Sequence, residues 1–204
     1  MFTVYLVDDD ANMLKALSRL LVTRGYDVRP FVSTDEFLAH HDPAIPGCAI
    51  FDLSMPGLGG LGLQQVLVND GVQRPIIFLT GKGNIPASVR AMKAGAIDFL
   101  TKPVGKNDLL LAISRAEEVD SQTRQAGVEL AAAKAKIASL TPREREVLTH
   151  VVAGRLNKQI AGDLGTVEKT IKFHRGHMMQ KLGVRTVADL VRLAEKAGIS
   201  IAKS

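Results

Sequence analysis

Four short apolar runs in this 204-residue chain end in charged or hydroxyl side chains that can work together in one pocket. The runs cover residues 4–7, 48–51, 75–79 and 97–101, and they are followed by Asp8 and Asp9, Asp52, Thr80 and Lys102. In an open parallel sheet, functional groups collect outside the carboxyl ends of the strands, so we expect these side chains to meet. Carboxylates that converge within a few ångströms repel one another unless cations lie among them. The pattern therefore predicts an acidic pocket that holds positive charge.

Strand-like and helix-like segments alternate through the first 120 residues. Strands are predicted at 4–7, 26–31, 48–52, 75–79 and 97–101, with helices at 11–24, after Ser33, after the 55–60 loop and near 86–93. Buried parallel strands are nearly continuous apolar runs, as these are. The repeats predict a five-stranded parallel sheet with helices on both faces.

The chain turns helical at Lys106 and stays helical. Leu109, Leu110, Ile113, Ala116 and Val119 mark one apolar face of the first helix. We interpret residues 119–138 as an extension of this helix into a linker. The sequence leaves open whether the helix is continuous through Gly127, which is a poor helix former.

Shorter helices are predicted beyond Leu140. Thr141, Pro142 and Glu144 form a typical helix start, with a capping box and proline at the first position. A short helix should begin at Asn157, and we expect Thr166 to cap the next helix, from about 167 to 182. Two helices joined by a tight turn, the second of them basic, predict a helix-turn-helix unit.

Composition and charge narrow the function classes. The single cysteine, Cys48, excludes an internal disulfide, and we expect it to be a buried apolar residue. No stretch approaches the ~20 apolar residues of a membrane span, and the acidic N-terminus is unlike a signal peptide, so we expect a cytoplasmic protein without membrane contact. Residues 1–120 contain 11 Lys/Arg and 14 Asp/Glu (net −3), whereas residues 121–204 contain 15 and 7 (net +8). This asymmetry favours a nucleic-acid-binding C-terminal module.

The acidic pocket resembles the active site of two-component response-regulator receiver domains. The resemblance covers residues 2–118 and implies an α/β, doubly wound, flavodoxin-like receiver domain over 1–118. It implies that Asp52 is the phosphoacceptor and that Lys102 contacts the phosphoryl group. It further implies a Mg²⁺ site made by Asp8, Asp9, Asp52 and the backbone carbonyl of Ser54, and a switch pair made by Thr80 and Phe99. Phe99 departs from the tyrosine that many receivers carry, and Lys82 and Ser54 are expected to tune the lifetime of the acyl phosphate.

The C-terminal part resembles the LuxR-type DNA-binding domain, an all-α four-helix helix-turn-helix domain expected over 139–204. The resemblance rests on residues 139–148, 157–161, 167–172 and 181–184. It implies that the 167–182 helix enters the major groove of DNA. The candidate DNA contacts are Lys158, Lys169, Thr170, Lys172, His174 and Arg175. Gly176 stands where some relatives carry a basic residue.

Receiver, linker and effector in this order resemble the FixJ/NarL family of regulators, and particularly its FixJ/StyR branch. The resemblance implies a transcriptional regulator that a sensor histidine kinase phosphorylates, and that then dimerises and binds double-stranded promoter DNA, with RNA polymerase as a further candidate partner. Catalysis would be confined to self-phosphorylation and self-dephosphorylation at Asp52. Two alternatives stay open: an orphan regulator that works without phosphorylation, and an aspartate-nucleophile phosphohydrolase. The second alternative is disfavoured because Ser54 stands where such enzymes usually place a second acid.

Overall fold

The computed structural model describes residues 1–81 and 85–199, and it divides into two compact units, Met1–Arg124 and Gln125–Ser204. The N-terminal unit alternates strands and helices as predicted. Its elements are β1 (Thr3–Val7), α1 (Ala11–Val22), β2 (Asp27–Phe31), α2 (Thr34–His40), β3 (Gly47–Asp52), α3 (Gly59–Asn69), β4 (Ile76–Thr80), α4 (Ile85–Lys93), β5 (Asp98–Thr101) and the start of α5 (Lys106–Ala138).

The five strands form one parallel sheet in the order β2-β1-β3-β4-β5, which confirms the predicted α/β fold. The chain begins in the interior of the sheet, adds β2 on one side, and then crosses to the other side for β3. This crossing makes β1 and β3 neighbours, with Val7 opposite Phe51. The loops that follow β1 and β3 therefore leave the sheet side by side.

The three inner strands, β1, β3 and β4, are buried on both faces, which explains why they are apolar almost throughout. Alternate residues of a strand point to opposite faces. Leu6, Ile50 and Leu79 belong to the core shared with α1 and α5, whereas Phe51 and Phe78 belong to the core shared with α2, α3 and α4. Cys48 is fully buried, as expected.

The helix α5 runs unbroken through Gly127 for 33 residues. The prediction that Val119 lies on its apolar face was wrong: Val119 is 38% exposed, and Asp120 is buried instead. A carboxylate can be buried here because Arg124, one turn later, donates to Asp120 Oδ2 at 2.8 Å. Despite the length of α5, no helix within the described ranges is both long and apolar enough to cross a bilayer.

The C-terminal unit contains four shorter helices within its described residues: α6 (Pro142–Val152), α7 (Asn157–Asp163), α8 (Glu168–Leu182) and α9 (Val187–Lys196). Thr141 caps α6, and the predicted capping box with Glu144 is present. The expectation that Thr166 caps α8 was wrong. The cap position is Val167, whose extended backbone starts the helix without a side-chain hydrogen bond, while the Thr166 amide donates to Ala161 O.

Glu144 combines the α6 cap with a buried ion pair. Its carboxylate accepts from the Thr141 amide at 2.9 Å and from Lys181 Nζ at 2.7 Å, although the residue is only 4% exposed. The Lys181 hydrogen bond, followed by that from Thr141, lowers the pKa of Glu144 from 4.5 to about 2. Because the folded pKa lies below the unfolded one, this stabilisation is present above about pH 4.5 and is lost as the pH falls towards about 2.

Glu144→Gln should therefore lower the melting temperature of the C-terminal unit by about 5 °C at pH 7, and the difference from wild type should shrink between pH 4.5 and pH 2. Glutamine keeps the shape and the capping ability but loses the charge. Scanning calorimetry of the full chain measures this. Glu146→Gln, which removes an exposed charge paired with Arg143, is the control and should change little at any pH. If the two substitutions lowered the melting temperature equally, the stabilising role of the Glu144 ion pair would be contradicted.

Candidate functional site

Backbone hydrogen bonds between strand ends position the acidic pocket. The amide of Leu53, directly after Asp52, donates to Leu79 O at 2.9 Å, and the Lys102 amide donates to Thr80 O at 2.7 Å. These bonds tie the ends of β3, β4 and β5 together. On the other side, the Asp8 amide donates to Phe31 O at 3.2 Å, which ties β1 to β2. The structure thus brings Asp8, Asp52, Thr80 and Lys102 to one edge of the sheet, as the sequence predicted.

Three carboxylates form a cluster that can bind a cation. One oxygen from each of Asp8, Asp9 and Asp52 lies within 4.8 Å of the others. Asp8 and Asp52 are only 3% and 6% exposed, whereas Asp9 faces solvent. The Asp10 amide donates to Asp8 Oδ1 at 2.9 Å and so orients that carboxylate. Asp10 itself is outside the cluster, because its side chain caps α1 by accepting from the amides of Asn12 and Met13.

Lys102 supplies positive charge to the two buried carboxylates. Its Nζ lies 2.6 Å from Asp8 Oδ2 and 3.2 Å from Asp52 Oδ1. Burial favours the neutral amine and by itself lowers the pKa of Lys102, but the hydrogen bond and the charge of Asp8, together with Asp52, outweigh burial and raise it. The ammonium is therefore held charged, and it bridges two carboxylates whose repulsion would otherwise be strong.

Three other predicted pocket residues lie on or directly after β3, β4 and β5. Thr80 is buried at the end of β4, at 1% exposure, and Ser54 is exposed two residues after Asp52. Phe99 is half-buried, opposite Phe78 in the sheet register, with their ring centroids 6.3 Å apart. Lys82 lies outside the described residues. Sequence reasoning missed Gly60: a Cβ there would collide with the Asp52 backbone oxygen, so α3 starts close against the strand that carries Asp52.

The C-terminal unit packs α8 against the other helices through Ile171, Met178 and Leu182, all of them buried as predicted. Lys169 and Lys172 are exposed on α8, and Lys158 is exposed at the start of α7. Lys172 Nζ lies 2.9 Å from Glu168 Oε1, one turn earlier. This helix therefore presents cationic side chains to solvent while its apolar face is buried.

The other predicted DNA contacts are less exposed to solvent than these lysines. Thr170 and His174 are half-buried. Arg175 is also half-buried and donates to Asn157 Oδ1 at 2.9 Å, which joins α8 to the start of α7. Sequence reasoning missed this pair because the two residues lie 18 positions apart and no short-range pattern connects them.

Comparison with known proteins gives the same two parts. Residues 4–114 match the response regulator receiver domain family, and residues 138–194 match the luxR family of bacterial regulatory proteins. Nodulation protein W of Bradyrhizobium diazoefficiens is 43% identical over 197 residues, which cover 97% of this chain and 87% of that protein. Transcriptional regulatory protein FixJ of Rhizobium meliloti is 37% identical over 198 residues, 97% of each chain. The solved structure of response regulator StyR has a TM-score of 0.84 and 44% identity, with 95% of this chain and 98% of that chain covered.

The parallel sheet with its acidic pocket, followed by a luxR-type helical unit, defines a class of proteins in which a receiver domain is joined to a DNA-binding domain. The chain belongs to the response regulator family, among transcriptional regulators related to FixJ and nodulation protein W.

Substitution of Asp9 by asparagine should weaken binding of Mg²⁺ by about tenfold or more, because the cluster would lose one of its three carboxylates. Isothermal titration of full-length wild type and Asp9→Asn with MgCl₂ measures this. Asp10→Asn is the matched control, since it removes a neighbouring charge while asparagine still caps α1. Similar losses in both variants would mean that general charge, rather than this cluster, attracts the ion.

Proposed function

We propose that this protein is a phosphorylation-dependent transcriptional regulator in which Asp52 accepts a phosphoryl group from a sensor histidine kinase. The observation that carries this proposal is the convergence of Asp8, Asp9 and Asp52 with Lys102 at one edge of the sheet. A pocket of this composition suits phosphoryl transfer, which depends mainly on positioning and on neutralisation of charge.

Asp8, Asp9, Asp52 and the backbone carbonyl of Ser54 would hold Mg²⁺. The carboxylates fit this ion because it prefers hard oxygen ligands and keeps waters that phosphate oxygens can replace. When bound, Mg²⁺ supplies charge neutralisation for the phosphoryl oxygens. Lys102 supplies further positive charge and contacts the phosphoryl group.

The reaction at Asp52 is a substitution at phosphorus. A carboxylate oxygen of Asp52 forms a bond to phosphorus while the phosphorus–nitrogen bond to the kinase histidine breaks, and the bonding electrons leave with the imidazole. The product is an acyl phosphate, which water later hydrolyses to regenerate the carboxylate. Catalysis is limited to these two steps.

Thr80 and Phe99 would couple the new phosphoryl group to the protein surface. Thr80 ends β4 beside the pocket, and Phe99 lies on the next strand, β5. A phosphoryl group places acceptor oxygens where the Thr80 hydroxyl can donate to them. Movement of Thr80 leaves space into which the half-buried Phe99 ring turns, so a change in charge becomes a change in packing.

The surface that responds is α4, which carries an exposed apolar stripe. Ile85, Val89 and Met92 are 74%, 46% and 46% exposed and recur at helical spacing, whereas Ala87 and Ala91 are buried. The proposed output is a homodimer that buries this stripe between two copies.

The proposed domain limits are a receiver over 1–118, a helical linker over 119–138 and a DNA-binding domain over 139–204. Dimerisation would place two α8 helices on promoter DNA with two half-sites, where RNA polymerase is the further partner.

Asp52→Asn should abolish phosphorylation. With MgCl₂ and acetyl phosphate, wild type should gain the mass of one phosphoryl group in a hydroxylamine-sensitive form, and its molar mass should shift towards the dimer. The Asn variant should do neither, because an amide is a poor nucleophile. Intact-protein mass spectrometry and light scattering measure both. A wild type that gains no phosphoryl group, or an Asn variant that behaves like wild type, would favour an orphan regulator controlled elsewhere.

Val89→Asp should leave phosphorylation intact but weaken dimerisation by more than about tenfold, because a charge would have to be desolvated in an apolar contact. Sedimentation analysis of phosphorylated protein gives the dimer constant. Val68→Asp is the control, since Val68 on α3 is similarly exposed, at 52%. A dimer that survives Val89→Asp but not Val68→Asp would move the interface to α3.

A further inference from the structure

One ridge of α8 points directly away from the core of the C-terminal unit. Lys169, Phe173, Gly176 and Gln180 follow one another at intervals of four, three and four residues, and all of them are exposed. Such intervals place residues on one helix face. The buried residues of α8, Ile171 among them, lie on the opposite face. We call these four residues the outward ridge.

Phe173 is an unusual residue to find on this ridge. It is 59% exposed and is absent from the apolar cluster of this unit. Its ring packs against the imidazole of His177 at a tilt of 35°, with centroids 4.2 Å apart, and its centroid lies 5.7 Å from that of the His174 ring. Exposure forfeits the hydrophobic stabilisation that burial of a phenyl ring provides. The ring therefore packs against imidazoles of its own helix rather than in the core.

Gly176 lies one turn after Phe173, and nothing in the described part of this unit requires a glycine there. It lies inside α8, where glycine is among the least favourable residues, and it is not one of the glycines with positive φ. A Cβ built at Gly176 would meet no atom within 4 Å, so space does not require glycine either. A glycine on an exposed helix face lets another molecule approach the backbone closely.

The charge around the ridge identifies the kind of molecule. Lys169 lies on the ridge and Lys172 beside it, and residues 121–204 carry 15 Lys/Arg against 7 Asp/Glu. Such a surface suits an anionic partner. B-DNA is one, and its major groove is about 12 Å wide and admits an α-helix. In that groove thymine alone presents a methyl group, and phenylalanine is one of the side chains that contact it.

We propose that Phe173 contacts a thymine 5-methyl group in the major groove and that Gly176 provides the clearance for this contact. The inference rests on the proposed DNA-binding function and adds a base preference to it. Lys169 and Lys172 would position the helix through phosphates, which carry no sequence information. Phe173 would favour thymine at one position of each half-site.

The test compares thymine with uracil, which lacks the methyl group. Full-length protein with acetyl phosphate and MgCl₂ selects a site from a randomised double-stranded DNA library. Fluorescence anisotropy then measures affinity for that site and for versions with deoxyuridine in place of one thymidine at a time. The affinity of wild type should fall about fourfold when deoxyuridine replaces one particular thymidine of each half-site, because one methyl group is lost.

Phe173→Ala should bind the thymine and uracil forms equally, with the affinity that wild type has for the uracil form. Val187→Ala, which removes an exposed apolar side chain on α9, should keep the wild-type preference. Lys172→Ala should weaken binding to both forms by the same factor. A thymine preference that persists in Phe173→Ala, or that is absent from wild type, would overturn the contact.

Gly176→Ala tests the clearance separately. It should raise the melting temperature of the C-terminal unit, because alanine is the better helix former, and yet weaken binding to the selected site. If stability rises while affinity is unchanged, the clearance role is wrong. If wild type enriches no sequence from the library, the proposed DNA-binding function is wrong and this inference fails with it. If wild type selects a site but shows no thymine preference that depends on Phe173, only this inference is wrong.

Discussion

The receiver unit depends on a balance of charge at the carboxyl edge of its sheet. Two aspartates there are almost fully buried, and burying an ionised carboxylate is very unfavourable unless it is paired. Lys102 provides the pairing, but it follows β5, and Asp8 follows β1. The ion pair forms because both strands end at the same edge of a parallel sheet. The chemistry of the pocket therefore depends on the order and the direction of the strands.

This balance of charge also explains why the proposed switch can respond to a small chemical change. In the resting pocket Lys102 is shared between Asp8 and Asp52. A phosphoryl group on Asp52 adds charge and acceptor oxygens at the position where the lysine already bridges two carboxylates. The contacts of Lys102 must then be redistributed, and Thr80 lies on the strand between β3 and β5. The packed core beneath transmits such a shift because close-packed side chains have few intermediate arrangements.

The sequence predicted those features that depend on local patterns. The inner strands were predictable because each is a nearly continuous apolar run, and the capping box at Thr141 was predictable because capping needs only neighbouring residues. The sequence also predicted the pocket, because its residues all follow strand ends, but other contacts between distant residues were not predictable. Val119 seemed the better core residue, but Asp120 is buried because Arg124 pairs with it and also donates to carbonyls of residues 43–45. Thr166 seemed a cap by type, but its amide closes the end of α7 onto Ala161. The contact between Arg175 and Asn157 depended on the fold in the same way.

The two faces of α8 separate stability from recognition. The inward residues fill the core, and changing them would alter folding before it altered binding. On the outward ridge, by contrast, an exposed phenyl ring adds nothing to the core, and a mid-helix glycine lowers the stability of the helix. Local propensity and global fold normally agree in a protein, and places where they disagree tend to be functional. On α8 these two residues lie one turn apart, beside exposed lysines. A partner that contacts both of them at once accounts for the pair more simply than two unrelated defects would.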